Sequence, residues 1–185
     1  MLALIFDTET TGIPKHPNAK MSVQPKIIEF GAALVNEAGE VVDELNIVID
    51  PQEPIEPIIT KITGLTDDDL RGKPTFAEVA PRIAALFSRA DAMIAHNLPF
   101  DSTLIELELK RNNIEEWPWP PIQICTVQEH AEEWGRRPKL EELYQHAKGE
   151  PANQTHRALD DVYLLVEVCK IQGVLHDIST ASRPD

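Results

Sequence analysis

Met1-Leu2-Ala3-Leu4-Ile5-Phe6-Asp7-Thr8-Glu9 opens the chain with an apolar run of strand length that ends in carboxylates. A run this short and this uniformly apolar reads as a strand buried on both faces, central in a sheet covered on either side. Working outward, residues 26–35 and 41–49 are rich in Ile and Val, and Asn36-Glu37-Ala38-Gly39 between them supplies turn chemistry, so they read as a hairpin. Residues 51–57 read as a loop and 65–70 as a short helical turn, while 75–88 carry Phe76, Val79, Ile83 and Phe87 at helical spacing. Residues 91–96 return as a strand. Asn97 then caps a helix that has Pro99 in its first turn and ends at Asn112-Asn113. A fifth strand is predicted over 122–126, followed by helices over 127–134, 138–147 and 156–171. This order describes an α/β domain with a five-stranded mixed sheet, three antiparallel strands first, flanked by helices. Residues 1–175 are expected to form this single domain and 176–185 a short C-terminal tail.

The 185 residues suit one domain with a core large enough to hold a precise site. No stretch approaches the roughly 18 apolar residues of a membrane span, and no basic region precedes the N-terminal apolar run, so a soluble cytoplasmic protein is expected. Cys125 and Cys169 lack C-x-x-C spacing, which argues against a zinc site and against a disulfide framework. The charge of −14, from 17 Lys+Arg against 31 Asp+Glu, by itself points away from nucleic acid. Carboxylates that bind divalent cations invert that local field, however. Basic residues are also gathered: Lys15, His16, Lys20 and Lys26 lie in an acid-free stretch, and Arg136, Arg137 and Lys139 form a second group. Either group also reads as an ordinary solvated loop.

Three acidic groups carry the chemistry. In extended backbone, residues i and i+2 share a face, so Asp7 and Glu9 aim their oxygens at one place. Their repulsion is tolerable when a divalent cation lies between them, and an oxygen-only ligand set selects Mg²⁺ or Mn²⁺ over zinc. Taken alone, D-x-E is more often an ordinary surface pair. His96-Asn97-Leu98-Pro99-Phe100-Asp101 again ends a strand in polar residues and puts a carboxylate in a helix's first turn, where it also complements the helix dipole. Such strand ends on one edge of an α/β sheet form the usual ligand crevice. His156-Arg157-Ala158-Leu159-Asp160-Asp161 supplies the third group at the start of the last helix.

Asp7-Thr8-Glu9-Thr10-Thr11-Gly12, Ile28-Glu29-Phe30-Gly31, Ile62-Thr63-Gly64-Leu65, Ala95-His96-Asn97-x-x-Phe100-Asp101 and His156-Arg157-Ala158-Leu159-Asp160-Asp161 occur in an order that resembles the DEDDh exonuclease family. That family includes the proofreading epsilon subunit of bacterial DNA polymerase III. The similarity runs from Met1 to about Lys170 and implies a ribonuclease H-like fold. It implies that Asp7, Glu9, Asp101 and Asp161 hold two Mg²⁺ or Mn²⁺ ions, that His156 is the general base, and that nucleoside 5′-monophosphates leave a 3′ end. A related branch carries tyrosine where this chain has Arg157, which favours the histidine version. Between adjacent acids, His156 and Asp160 have i, i+4 spacing. Asp161, however, lies on the apolar stripe of Ala158, Val162, Leu165, Val168 and Cys169, where a carboxylate is costly unless paired or metal-bound. The family spacing also selects Asp161.

Thr10, Thr11 and Gly12 are candidates to offer backbone amides to the terminal nucleotide, although a strand-to-loop turn uses such residues anyway. His96 and Asn97 are candidate phosphate contacts, or else a strand-end hydrogen bond and a cap. Phe100 is a candidate to stack on a base, or else a core residue. Trp117-Pro118-Trp119-Pro120-Pro121 reads as a packed linker. The expected partner is a single-stranded or frayed 3′ end, DNA rather than RNA. An exoribonuclease or oligoribonuclease-type enzyme is the first rival and a non-catalytic binding or polymerase-associated module the second, although the latter should have lost some of the five groups. A polymerase partner is not indicated by the sequence. Because no tethering tail follows the domain, a free-standing repair, recycling or phage-type nuclease is expected over a proofreader.

Overall fold

A computed structural model of the chain describes residues 1–181. Its sheet has five strands in the order β3-β2-β1-β4-β5. β1 (Leu2–Thr10) lies in the middle, antiparallel to β2 (Ile27–Asn36) and parallel to β4 (Ala92–Ala95). β3 (Val41–Val48) completes the antiparallel hairpin on one side, and β5 (Ile122–Cys125) runs parallel to β4 on the other. The run that opens the chain is therefore the central strand, with Ala3, Leu4, Ile5 and Phe6 fully buried.

Strand alternation sorts the core into two layers. Leu4 and Phe6 of β1 and Phe30, Ala32 and Leu34 of β2 face α3 (Phe76–Phe87) and α4 (Leu98–Arg111). The Phe6 and Phe87 rings meet edge to face at 5.2 Å. Trp117 and Trp119 close this layer against Phe87 at 5.6 and 5.5 Å, so the proline-rich segment is a packed linker. Ala3, Ile5, Ala33 and Val35 face the other way, onto Val162, Leu165, Val166 and Cys169 of α7 (Ala158–Ile171). The odd-numbered residues of β1, and those of β2 from Glu29 onward, thus look toward α7, whereas Ile27, beyond a register shift, joins the α3/α4 layer.

The remaining helices are α1 (Pro57–Thr63), α2 (Asp67–Leu70), α5 (Thr126–Trp134), α6 (Leu140–Lys148) and α8 (Val174–Ala181). Two depart from the sequence-based expectation. α1 follows the loop directly, with Pro57 in its first turn and Gly64 left-handed at its end, a stop signal at φ 74°. The expected tail, 176–185, begins inside α8, which packs on α7 and buries Leu175 and Ile178 in the core layer on that face of the sheet; residues 182–185 lie outside the described residues. α7 also starts later than predicted. His156 takes a left-handed backbone at φ 53°, and Arg157 is extended, so the helix begins at Ala158. No helix among the described residues is long and apolar enough to cross a membrane. Cys125 and Cys169 are free and buried.

Candidate active site

Two consecutive alternations build the site. Asp7 and Glu9 belong to the odd face of β1 and meet α7, where Asp161 is buried at 5% exposure in the first turn. Oxygens of Asp7, Glu9 and Asp161 lie within 4.8 Å of one another. Thr8, between them, belongs to the even face and meets α4. Its backbone N and its Oγ1 both donate to Asp101 Oδ1, at 3.1 and 2.7 Å. The D-x-E spacing thus aims two carboxylates at one helix and uses the intervening threonine to anchor a carboxylate on another.

α7 approaches β2 this closely because of Gly31, which pairs with Asp7. A Cβ there would lie 2.4 Å from the backbone N of Leu159 and 2.5 Å from the carbonyl carbon of Ala158, so only glycine fits. Gly31 sets how near Asp161 comes to Asp7. Asp160, one residue away, points outward and accepts from Thr155 Oγ1 at 2.6 Å. The geometry separates the two acids as the apolar stripe predicts.

The electrostatics are those of a cluster short of positive charge. Burial, then repulsion from Asp101 and Glu9, raises Asp7 well above the usual carboxylate range. Burial followed by Asp161 and Glu29 pushes Glu9 up to about 8. Burial lifts Asp101 to about 7 against the opposing pull of the Thr8 hydrogen bonds. Asp161 is also raised by burial, although Gln154 Nε2 donates to its Oδ2 at 2.8 Å. Asp161 Oδ1 is buried and has no hydrogen-bond partner among the described residues. Such an orphan is costly, and here it stands beside two more carboxylates with an all-oxygen donor set. A divalent cation of the Mg²⁺ or Mn²⁺ type fits that arrangement.

His156 is exposed at the rim, near enough to Asp161 to favour its charged form. The other predicted residues divide. Thr10 Oγ1 donates to Gly12 O at 2.7 Å, and Thr11 exchanges hydrogen bonds with Lys26, its N donating to Lys26 O and its Oγ1 accepting from Lys26 N, each at 2.9 Å. These groups mainly shape the turn after β1. His96 is turned inward. Its Nε2 lies 3.1 Å from Pro138 O and its Nδ1 3.1 Å from Thr126 Oγ1, and burial lowers its pKa to about 4. A neutral ring that donates from Nε2 and accepts at Nδ1 fits both contacts, which join the end of β4 to the start of α5 and to the segment just before α6. Asn97 precedes α4 without a side-chain cap; its Oδ1 accepts from Arg137 Nη2 at 2.6 Å. Phe100 is half-buried against the α4 core and lines a surface groove with Ile13, Pro14, Asn97, Val127 and Arg137.

Of the basic residues, Lys26 is committed to Glu53, and Arg136 to Glu142 and the Trp134 ring. Arg137 faces the groove. The site residues that sequence reasoning passed over are Thr8, Glu29, Gln154 and Arg157. The strand alternation that located Asp7 and Glu9 would also have placed Glu29 on the α7 face.

Residues 4–169 match the family model described as Exonuclease. Among curated relatives, the DNA polymerase III PolC-type protein of Halalkalibacterium halodurans is 34% identical over 67% of this chain and 8% of its own length. The DNA polymerase III subunit epsilon of Pasteurella multocida is 29% identical over 89% of this chain and 65% of its own. The chain therefore spans under a tenth of the first of these relatives and about two thirds of the second. Among solved structures, the nuclease domain of 3′hExo bound to rAMP, a DEDDh family member, superposes with a TM-score of 0.74 at 17% identity, over 95% of this chain and 92% of that one. Exonuclease X in complex with 5′ overhanging duplex DNA gives 0.66 at 24%, over 98% and 94%. At these identities the structural likeness speaks to the fold, which is ribonuclease H-like. With the family model spanning both layers of the sheet and all three acidic groups, the chain belongs to the exonuclease family.

Proposed function

We propose that the chain removes nucleotides singly from the 3′ end of single-stranded or frayed DNA, releasing nucleoside 5′-monophosphates, with two Mg²⁺ or Mn²⁺ ions as cofactors. Family membership implies dependence on divalent metal. The observation that carries the finer reading is the buried, unpartnered Oδ1 of Asp161 beside Asp7 and Glu9. Asp7, Glu9 and Asp161 hold the ions together with Asp101, which Thr8 orients. Bound there, divalent cations supply Lewis acidity to the attacking water and to the leaving 3′ oxygen. His156 accepts the water's proton near neutral pH. The groove past Phe100 and Arg137 leads the strand in, with Phe100 offering a face to a base and Arg137 a charge to a phosphate. The turn at Thr10, Thr11 and Gly12 flanks the terminal nucleotide, while His96 braces the site from behind.

DNA is preferred over RNA because the relatives are named as DNA polymerase III proteins. The same kinship makes association with a polymerase a reasonable setting, alongside a free-standing repair or recycling role. The decisive experiment compares matched DNA and RNA oligomers, labelled at the 5′ or 3′ end, with Mg²⁺, Mn²⁺ or excess chelator. A ladder shortening from the 3′ end, faster on DNA and absent in chelator, is expected. Faster loss of RNA would make the enzyme an exoribonuclease. Internal cleavage, or an equal rate in chelator, would overturn the mechanism.

A further inference from the structure

The Ile28-Glu29-Phe30-Gly31 motif is only half explained by the close approach at Gly31. Glu29 is fully buried on the α7 face of β2, and it pairs in register with Glu9. A carboxylate so placed needs partners, and it has three bonds. Oε2 accepts from Arg157 Nε at 2.9 Å and from the backbone N of Ala158 at 3.2 Å, and Oε1 accepts from Arg157 Nη2 at 2.6 Å. The side-on guanidinium fork fixes direction as well as distance. It fixes the residue directly after His156.

The backbone around that residue is uncommon. His156 is left-handed at φ 53°, Arg157 is extended at φ −116° and ψ 129°, and helical geometry starts only at Ala158. A non-glycine residue holds such a conformation only where its surroundings enforce it. On the N-terminal side, residues 150–155 form no regular element. On the C-terminal side stand the fork to Glu29 and the contact of Ala158 and Leu159 with Gly31. Besides the fork, the bond from Ala158 N to Glu29 Oε2 holds this turn to β2, while Gln154 and Thr155 on its other side bond to Asp161 and Asp160; the fork is what holds the Arg157 side chain itself to the strand.

We propose that Glu29 and Arg157 form a positioning pair that places His156 over the carboxylate cluster by pinning the residue behind it to the strand opposite Glu9. This rests on the reading of His156 as general base. A purely structural staple would lower thermal stability and leave the turnover of folded protein unchanged. A positioning pair lowers turnover itself, because displacement of a base by about 1 Å costs on the order of 10²-fold. The loss falls on kcat, since neither residue touches the strand-binding groove.

The test measures kcat, KM and the unfolding midpoint for the wild type, Arg157→Gln, Arg157→Lys, His156→Ala and the double variant His156→Ala/Arg157→Gln. Arg157→Gln is expected to lower kcat roughly 10- to 100-fold with KM nearly unchanged, and Arg157→Lys, which keeps charge but not the fork, to fall between. In the double variant, Arg157→Gln should add no further loss, because the base it positions is gone. Should Arg157→Gln unfold at the assay temperature, Arg157→Lys with its own double variant carries the same comparison. Full kcat in the folded Arg157 variants would overturn the proposal. So would losses that multiply in the double variant, which would leave His156 as base but assign the pair another role. Full activity in His156→Ala would instead remove the base assignment and this proposal with it.

Discussion

The acidic cluster makes the metal-free protein least stable where the enzyme should work best. Glu9 has an ordinary pKa of 4.5 that burial and its acidic neighbours push up to about 8 in the fold. Its neutral form is therefore favoured in the folded state. The folded state keeps a proton that the unfolded chain has lost, so stability declines as pH rises between the two values and is fully present only below the lower one. At about 1.36 kcal/mol per pH unit this amounts to about 5 kcal/mol, reduced to roughly 2–3 because Glu9 is partly open to solvent. Asp101, lifted from 3.8 to about 7, spans nearly the same window, but groups that share one site titrate jointly and their effects do not simply sum. For a chain of this size, roughly 2–3 kcal/mol corresponds to a midpoint lower by about 5–10 °C. The assay is thermal unfolding in excess chelator from pH 5 to pH 8.5, for wild type and for Glu9→Gln. Wild type should lose stability across that range. Glu9→Gln, which carries no charge to repel, should unfold at a higher temperature than wild type at pH 8.5. Saturating Mn²⁺ should reverse that order, since an ion bound only by the folded state stabilises it. A flat or rising wild-type midpoint in chelator, or a destabilised Glu9→Gln at pH 8.5, would refute the reasoning.

Two further outcomes are expected. Asp161→Asn should abolish turnover and weaken Mn²⁺ binding, measured by calorimetry, whereas Asp160→Asn should retain both, because Asp160 points outward to Thr155 while Asp161 joins Asp7 and Glu9; the reverse pattern would reassign the ligand. Arg137→Ala should weaken single-strand binding and make the slope of log affinity against log salt shallower by roughly 1. Arg136→Ala should leave that slope unchanged, since Arg136 is tied to Glu142 and Trp134, and an equal effect of the two would show that the groove has been misplaced.

What the sequence made legible follows from period and charge. An apolar run of strand length ending in two acids can be buried on both faces only in the middle of a sheet, and β1 lies there. Alternation then carries real geometric content, because it puts Asp7 and Glu9 on one face of β1; the fold sets that face against α7 and the opposite face, with Thr8, against α4. Asp161 was legible for the same reason: an acid on an apolar stripe needs a partner that the stripe cannot provide. The helix α1 escaped because its seven residues are bounded by a proline and a glycine that read equally well as loop punctuation. α8 escaped because Leu175 and Ile178 are too few to show a period, and only the α7 surface they cover reveals their purpose.

The harder residues to read were those whose function lies in a partner far along the chain. His96 beside Asn97 at a strand end reads as a phosphate contact, but both ring nitrogens are bonded to segments 30 and 42 residues away, so the ring joins elements instead of facing substrate. Glu29 is the converse case. Within its strand it breaks an apolar run and gives no sign of chemistry, because the guanidinium that explains it is 128 residues distant. Composition misled in the same way. A charge of −14 argues against a nucleic-acid enzyme when averaged over the surface. Yet four of those acids are gathered where burial keeps their carboxyls from ionising readily, and Arg137 alone of its cluster faces the groove. Where the charges stand, and which are already paired, decides what the surface attracts, and that is set by contacts no local window contains.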